Sequence, residues 1–118
     1  MINKVRITAS LYGWKAWVSR IDNCDFTFDF RKEREGKVPF TISVSGRNTK
    51  EIGAELTDFI DHFEPIDFAL QCLGSLGKMP LSDFIGMVGD MDAIRSELWL
   101  VAFDLTHSEP ESSTSLLN

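Results

Sequence analysis

Apolar and polar residues alternate with a period of two over the opening of the chain. Val5, Ile7, Ala9 and Leu11 interleave with Lys4, Arg6, Thr8 and Ser10, which predicts a strand with one buried face and one wet face. Tyr12-Gly13 supplies a turn or bulge. Trp14 to Ile21 is rich in aromatic and β-branched residues and reads as a second strand. Asp22-Asn23 follows as a turn pair, because both side chains bond nearby backbone and tolerate left-handed geometry. Phe26, Phe28 and Phe30 then alternate with Thr27, Asp29 and Arg31 as a third strand. After the charged run RKEREGK, whose mixed signs suit a solvated hairpin tip, Val38, Phe40, Ile42 and Val44 alternate with Thr41, Ser43 and Ser45 as a fourth. Pro39 near its start suggests an edge position. Connections this short force antiparallel neighbours, so residues 4–45 are expected to form a four-stranded antiparallel meander.

At Asn48 the period changes. Ile52, Leu56, Phe59 and Phe63 recur at helical spacing, with Ile60 widening the stripe. Asn48 with Glu51 three residues on marks the helix start, and Pro65 forbids its continuation. Pro65 to Leu73 reads as a second helix with Gly74 just past its end. Ser82 caps a third, short helix through Val88. Beyond Met91 two patterns compete. Met91, Ile94, Leu98, Val101, Ala102 and Leu105 fit one helical face, whereas LWLVAF at 98–103 also suits a buried strand. The aligned set spans four turns and Asp90 is a good capping residue, so helix is favoured. The fold class is therefore α+β: the meander first, then three to four helices packed on one sheet face as a two-layer sandwich. A single domain is expected over 1–107, with a polar, flexible tail over 108–118.

Composition narrows the class without naming an activity. The chain has 118 residues, 43% of them hydrophobic and 25% charged, an ordinary balance for a globular domain able to bury a core. No apolar run approaches the roughly 20 residues of a spanning helix, so no membrane partner is expected. The opening MINKVRITAS lacks a signal-peptide core. Cys24 and Cys72 form no CxxC and read as reduced thiols, which together with that opening points to a cytoplasmic setting. Charge is unevenly spread: residues 1–50 carry ten basic and five acidic side chains, residues 51–118 two and thirteen. Such asymmetry predicts an electrostatically polarised surface, unless a basic sheet and acidic helices neutralise one another.

Three sets of residues could carry function. Glu51, Glu55, Asp58 and His62 succeed one another by one helical turn, with Asp61 beside them, and make an acidic stripe next to the apolar one. Lys4, Arg6, Lys15 and Arg20 lie on the first two expected strands near Trp14 and Trp17, as cations and rings do on nucleic-acid platforms. They lack the exposed aromatics spaced by two that an RNP-type strand shows, and the regular row Phe26-Phe28-Phe30 is needed for a core. Asp58 and His62 could offer an oxygen and a nitrogen to a divalent metal, but there is no HExxH and the only other histidine is His107. GSLGK at 74–78 lacks phosphate-loop spacing, Cys24 lies in a turn between acids and is not expected to be a nucleophile, and no serine occupies a GxSxG elbow. Trp14, Trp17 and Trp99 are candidate interface anchors whose expected place is nonetheless the core.

The leading expectation is thus a small acidic protein-binding module, an adaptor or inhibitor, that presents the stripe Glu51, Glu55, Asp58, Asp61 and His62 to a protein with a basic surface. Nucleic-acid binding through Lys4, Arg6, Lys15 and Arg20 is the first alternative, and a metal-dependent enzyme around Asp58 and His62 the second. No catalytic residue, metal or cofactor is expected.

Overall fold

A computed structural model describes residues 1–34, 39–62, 64 and 81–107. Seven elements follow in order: α1 (Ile2–Leu11), β1 (Lys15–Asp22), β2 (Asp25–Lys32), β3 (Phe40–Gly46), α2 (Thr49–Asp61), α3 (Leu81–Gly89) and α4 (Met91–Thr106). The class is α+β, with one three-stranded antiparallel sheet and four helices among the described residues. The helix expected over Pro65–Leu73, Cys72, the GSLGK loop and the tail from Ser108 lie outside the described residues.

The sheet runs in the order β1-β2-β3. Its rows are Ala16–Phe30–Ile42 and Val18–Phe28–Val44 on one face, Lys15–Arg31–Thr41 and Trp17–Asp29–Ser43 on the other. The first face is the buried one: Phe28, Phe30 and Phe40 are wholly enclosed, while Thr41, Ser43 and Ser45 of β3 stand in solvent. This is the alternation that the sequence shows, converted into an inside and an outside. The turn between β1 and β2 uses Asn23 at φ +57, the left-handed region that Asn tolerates. A β-bulge between Val18 and Arg20 shifts the register of β1 against β2.

The expected first strand is a helix. Period-two alternation over Lys4–Leu11 coincides with a narrow helical stripe, Val5, Thr8 and Ala9 at i, i+3 and i+4, and only this stripe is buried. Ile7 and Leu11, assigned to the inner face of a strand, are 60% and 69% exposed. What decides the matter lies beyond the segment. Gly13, at φ +84, reverses the chain, and the Trp14 N–H donates to the carbonyl of Ala9 at 3.0 Å. The chain then enters β1, and α1 packs back against that strand and against α4. Among the described residues the sheet accordingly has three strands, not four, and one helix precedes it.

Helices α2 and α4 keep their sequence-derived faces. In α2, Ile52, Leu56 and Ile60 are buried, and the Asn48 side chain accepts the Glu51 N–H at 2.9 Å. In α4 the buried set is Met91, Ile94, Leu98, Val101, Ala102 and Leu105, so the 98–103 block is helical. Asp90 does not cap this helix with its side chain, which is turned instead to the Arg34 guanidinium at 3.0 Å. A charged partner 56 residues away outcompetes the local backbone. Two further bonds tie α4 to the α1–β1 turn. The Tyr12 hydroxyl donates to Asp104 at 2.6 Å, and the buried Trp14 indole N–H donates to Glu97 at 3.0 Å. Glu97 and Asp104 are seven residues apart, two turns along one face. Lys32 of β2 reaches Glu97 as well, at 3.1 Å.

Helix α1 thus sits by β1, α2 by β3 at the opposite edge, and α4 touches both helices. One continuous core joins them, with Met87 contributed by α3.

Candidate functional site

The acidic stripe of α2 divides into a structural part and an open part. Glu51 belongs to the helix start. Its carboxylate accepts the Arg47 backbone N–H at 3.1 Å and the Arg47 guanidinium at 3.2 Å. The backbone bond, then the guanidinium bond, holds this carboxyl below its ordinary range. Glu55, Asp58 and Asp61 are exposed on the same helix, and Glu55 and Asp61 meet no cation among the described residues. Asp58 lies 3.6 Å from the ring of His62, whose Nδ1 is 2.9 Å from the Asp58 carbonyl oxygen. That hydrogen bond, followed by the charge of Asp58, raises the His62 pKa and favours its cationic form. Among the described residues no group of three His, Cys, Asp or Glu side chains could hold a metal ion.

An aromatic shelf adjoins the open acids. Trp99 and Phe103 of α4 stack with centroids 5.2 Å apart, and Phe103 stacks on His107 at 4.1 Å. Trp99 is 50% exposed, with Leu100 and Phe103 also open. A groove of about 490 Å³ between α2 and α4 is lined by Ile60, Asp61, Arg95, Ser96, Trp99 and Leu100. Asp61 is therefore part of both the acidic stripe and the aromatic groove. Sequence reading placed Trp99 in the core. The visible signal for a ladder was the spacing Trp99, Phe103, His107 at successive turns, outside the buried set of the same helix.

The four cations proposed for nucleic acid do not assemble as a sheet platform. Lys4 and Arg6 are on α1, not on a strand. Lys15 and Arg20 are exposed on β1, in rows that belong to the open sheet face, and Arg20 turns to Asp22 at 3.4 Å. That open face is a polar network around Asp29, whose carboxylate accepts from Ser43 at 2.6 Å and Ser19 at 3.0 Å, with Thr27 and Ser45 joined at 2.8 Å. Trp17, 38% exposed, is its aromatic member, while Trp14 is 1% exposed and belongs to the core. Arg6 and Lys15 do come together, across a groove between α1 and β1.

Cys24 is an exposed free thiol beside the β1–β2 turn. No described helix is long and apolar enough to cross a membrane. No protein-family model, no curated protein and no solved structure matches the chain.

Proposed function

We propose that this chain is a protein-binding module, an adaptor or inhibitor, that offers the outer face of α2 to a basic partner. The observation that carries the reading is the open part of the stripe. Glu55, Asp58 and Asp61 project from one exposed helix, and Asp61 adjoins an apolar groove walled by Trp99 and Leu100. Exposed aromatics provide the contact area that carries affinity, and the surrounding acids select a cationic partner and speed encounter. The reading assigns binding rather than catalysis, in a cytoplasmic setting where Cys24 stays reduced. Of the original five residues, Glu51 is better understood as a helix-capping group, since Arg47 already occupies it.

The nucleic-acid alternative draws less support, because Lys4 and Arg6 sit on a helix and Arg20 is paired. The metal alternative lacks a third ligand beside Asp58 and His62 among the described residues.

The test is affinity capture from nuclease-treated lysate. The native chain is compared with the triple variant Glu55→Lys, Asp58→Lys, Asp61→Lys, which leaves the Glu51 cap in place. A partner retained by the native chain at low salt should be lost from the variant, and from both at about 0.5 M salt, where screening falls to a few ångströms. Equal retention by a variant with unchanged circular dichroism would remove the acidic face from the account.

A further inference from the structure

The groove at the other edge of the sheet has a different construction. It is lined on one side by Asn3, Arg6, Ile7 and Ser10, spaced i, i+3, i+4 and i+7 along a single face of α1. On the other side stand Trp14 to Trp17, with the strand residues Lys15, Ala16 and Trp17 in succession. Consecutive strand residues point to opposite faces of a sheet. A surface that touches three in a row is therefore the edge of β1 and not one of its faces. Among the described residues β2 is the only neighbour of β1 in the sheet, and no backbone hydrogen bond joins the other side of β1 to any element. The groove is open to solvent, and its volume, about 630 Å³, is of the size that takes a few residues of peptide or a small molecule.

We propose that this groove binds an extended acidic peptide, which adds to β1 as a fourth, edge strand under the cover of α1. The backbone supplies one half of the recognition, because an open strand edge presents N–H and C=O groups at the spacing of another strand. The charges supply the other half. Arg6 and Lys15 both line the groove, neither has an acidic partner among the described residues, and no acidic side chain lines it. Apolar contacts come from Ile7 and Trp17, exposed by 60% and 38%. The bulge between Val18 and Arg20 ends the regular edge, so the added strand covers Lys15 to Val18. The ligand is thus about four residues long in its paired part, roughly 13 Å, with a carboxylate and an apolar side chain two residues apart to meet Lys15 and Trp17, which share one face of β1. A second copy of this chain is a poorer occupant, since pairing β1 with itself brings another Arg6 and Lys15 against the first pair. The site stands apart from the α2 surface and survives or fails independently of it.

The test is selection of a random dodecapeptide display library against the full chain, followed by fluorescence anisotropy with labelled synthetic peptides. Selected sequences should carry an acidic and an apolar residue two positions apart and contain no proline in the paired stretch. Arg6→Glu and Lys15→Glu, both at exposed positions, should each weaken binding about tenfold, as the loss of a close charge pair does. N-methylation of alternate peptide amides should abolish binding with the protein untouched, which separates strand addition from any effect on folding. Four results would overturn the proposal: no selected peptide, peptides indifferent to both charge reversals, tolerance of N-methylation at every position, or concentration-dependent dimers that Arg6→Glu strengthens. So would salt-sensitive binding of a labelled dT10 oligonucleotide that an acidic peptide cannot displace.

Discussion

Replacing Gly53 by alanine tests the packing of α2 on α4, the contact on which the acidic face and the aromatic shelf both depend. A Cβ at Gly53 would stand 2.8 Å from the backbone nitrogen and Cγ2 of Thr106, and 2.9 Å from the Cβ of Leu105. Carbon atoms pack at about 3.5–4.0 Å, so the overlap is roughly an ångström. One of the atoms met is backbone, and relief requires the two helices to separate. Alanine gains about 1 kcal/mol over glycine inside a helix. Overpacking a close contact costs about 1–3 kcal/mol, and the upper part of that range applies where backbone must move. The expected net loss is about 1–2 kcal/mol, read as a fall in Tm of roughly 5–10 °C for a chain of this size. Gly89 is the internal control: a Cβ there meets nothing within 4 Å, so Gly89→Ala should leave Tm unchanged or slightly higher. Thermal melts of both variants at one pH settle the matter. A Gly53→Ala chain as stable as the native one would mean that α2 and α4 do not approach this closely.

Two pH predictions follow from individual groups. Tyr12 is the sole tyrosine, so absorbance at the tyrosinate band reports it alone. Its hydrogen bond to Asp104, aided by burial and by that residue's charge, should raise its ionisation above the ordinary 10.0, and Asp104→Asn should bring it back down; titration curves that coincide would refute the bond. Glu51, held low by Arg47, has a folded-state pKa below its unfolded one. Its stabilising contribution is therefore present above the ordinary 4.5 and lost as pH falls through the depressed value. The Tm difference between native protein and Glu51→Gln should be clear at neutral pH and shrink towards pH 3; a constant difference would show that the carboxylate charge is not what Arg47 recognises.

How far the sequence disclosed this molecule depended on the range of the interactions involved. β2, β3, α2 and α4 each carry a periodic apolar row long enough to fix its own face; the large buried side chains of each belong to that row, while Phe26 and Phe59 of the rows are only partly buried. Residues 2–11 have two overlapping patterns, and the shorter stripe Val5, Thr8, Ala9 prevails because Gly13 folds the segment back onto β1 and α4. No local rule contains that information. The cap at Asn48 was legible because its partner is three residues away. Asp90 does stand at the N-cap of α4, but its carboxylate goes to Arg34, far along the chain, and makes no capping bond. The acidic residues were visible as a stripe, but only contact with Arg47 separates Glu51 from Glu55, Asp58 and Asp61. The groove beside β1 has no sequence signature at all, since it arises from a free strand edge meeting a helix face that had been read as a strand.

Helix α2 lies by β3 and the Arg6–Lys15 groove by β1, at opposite edges of the sheet, while the pairs Lys32–Glu97 and Arg34–Asp90 join the basic first half of the sequence to the acidic second. The measurement that addresses the acidic edge most directly is amide hydrogen exchange on the native chain, alone and with its captured partner, at low and high salt. Protection concentrated over residues 54–62 and 95–104, and relieved by salt, is the result expected of a basic protein seated on α2 and the Trp99 shelf. Unchanged exchange over both segments, with the partner demonstrably bound, would contradict the account.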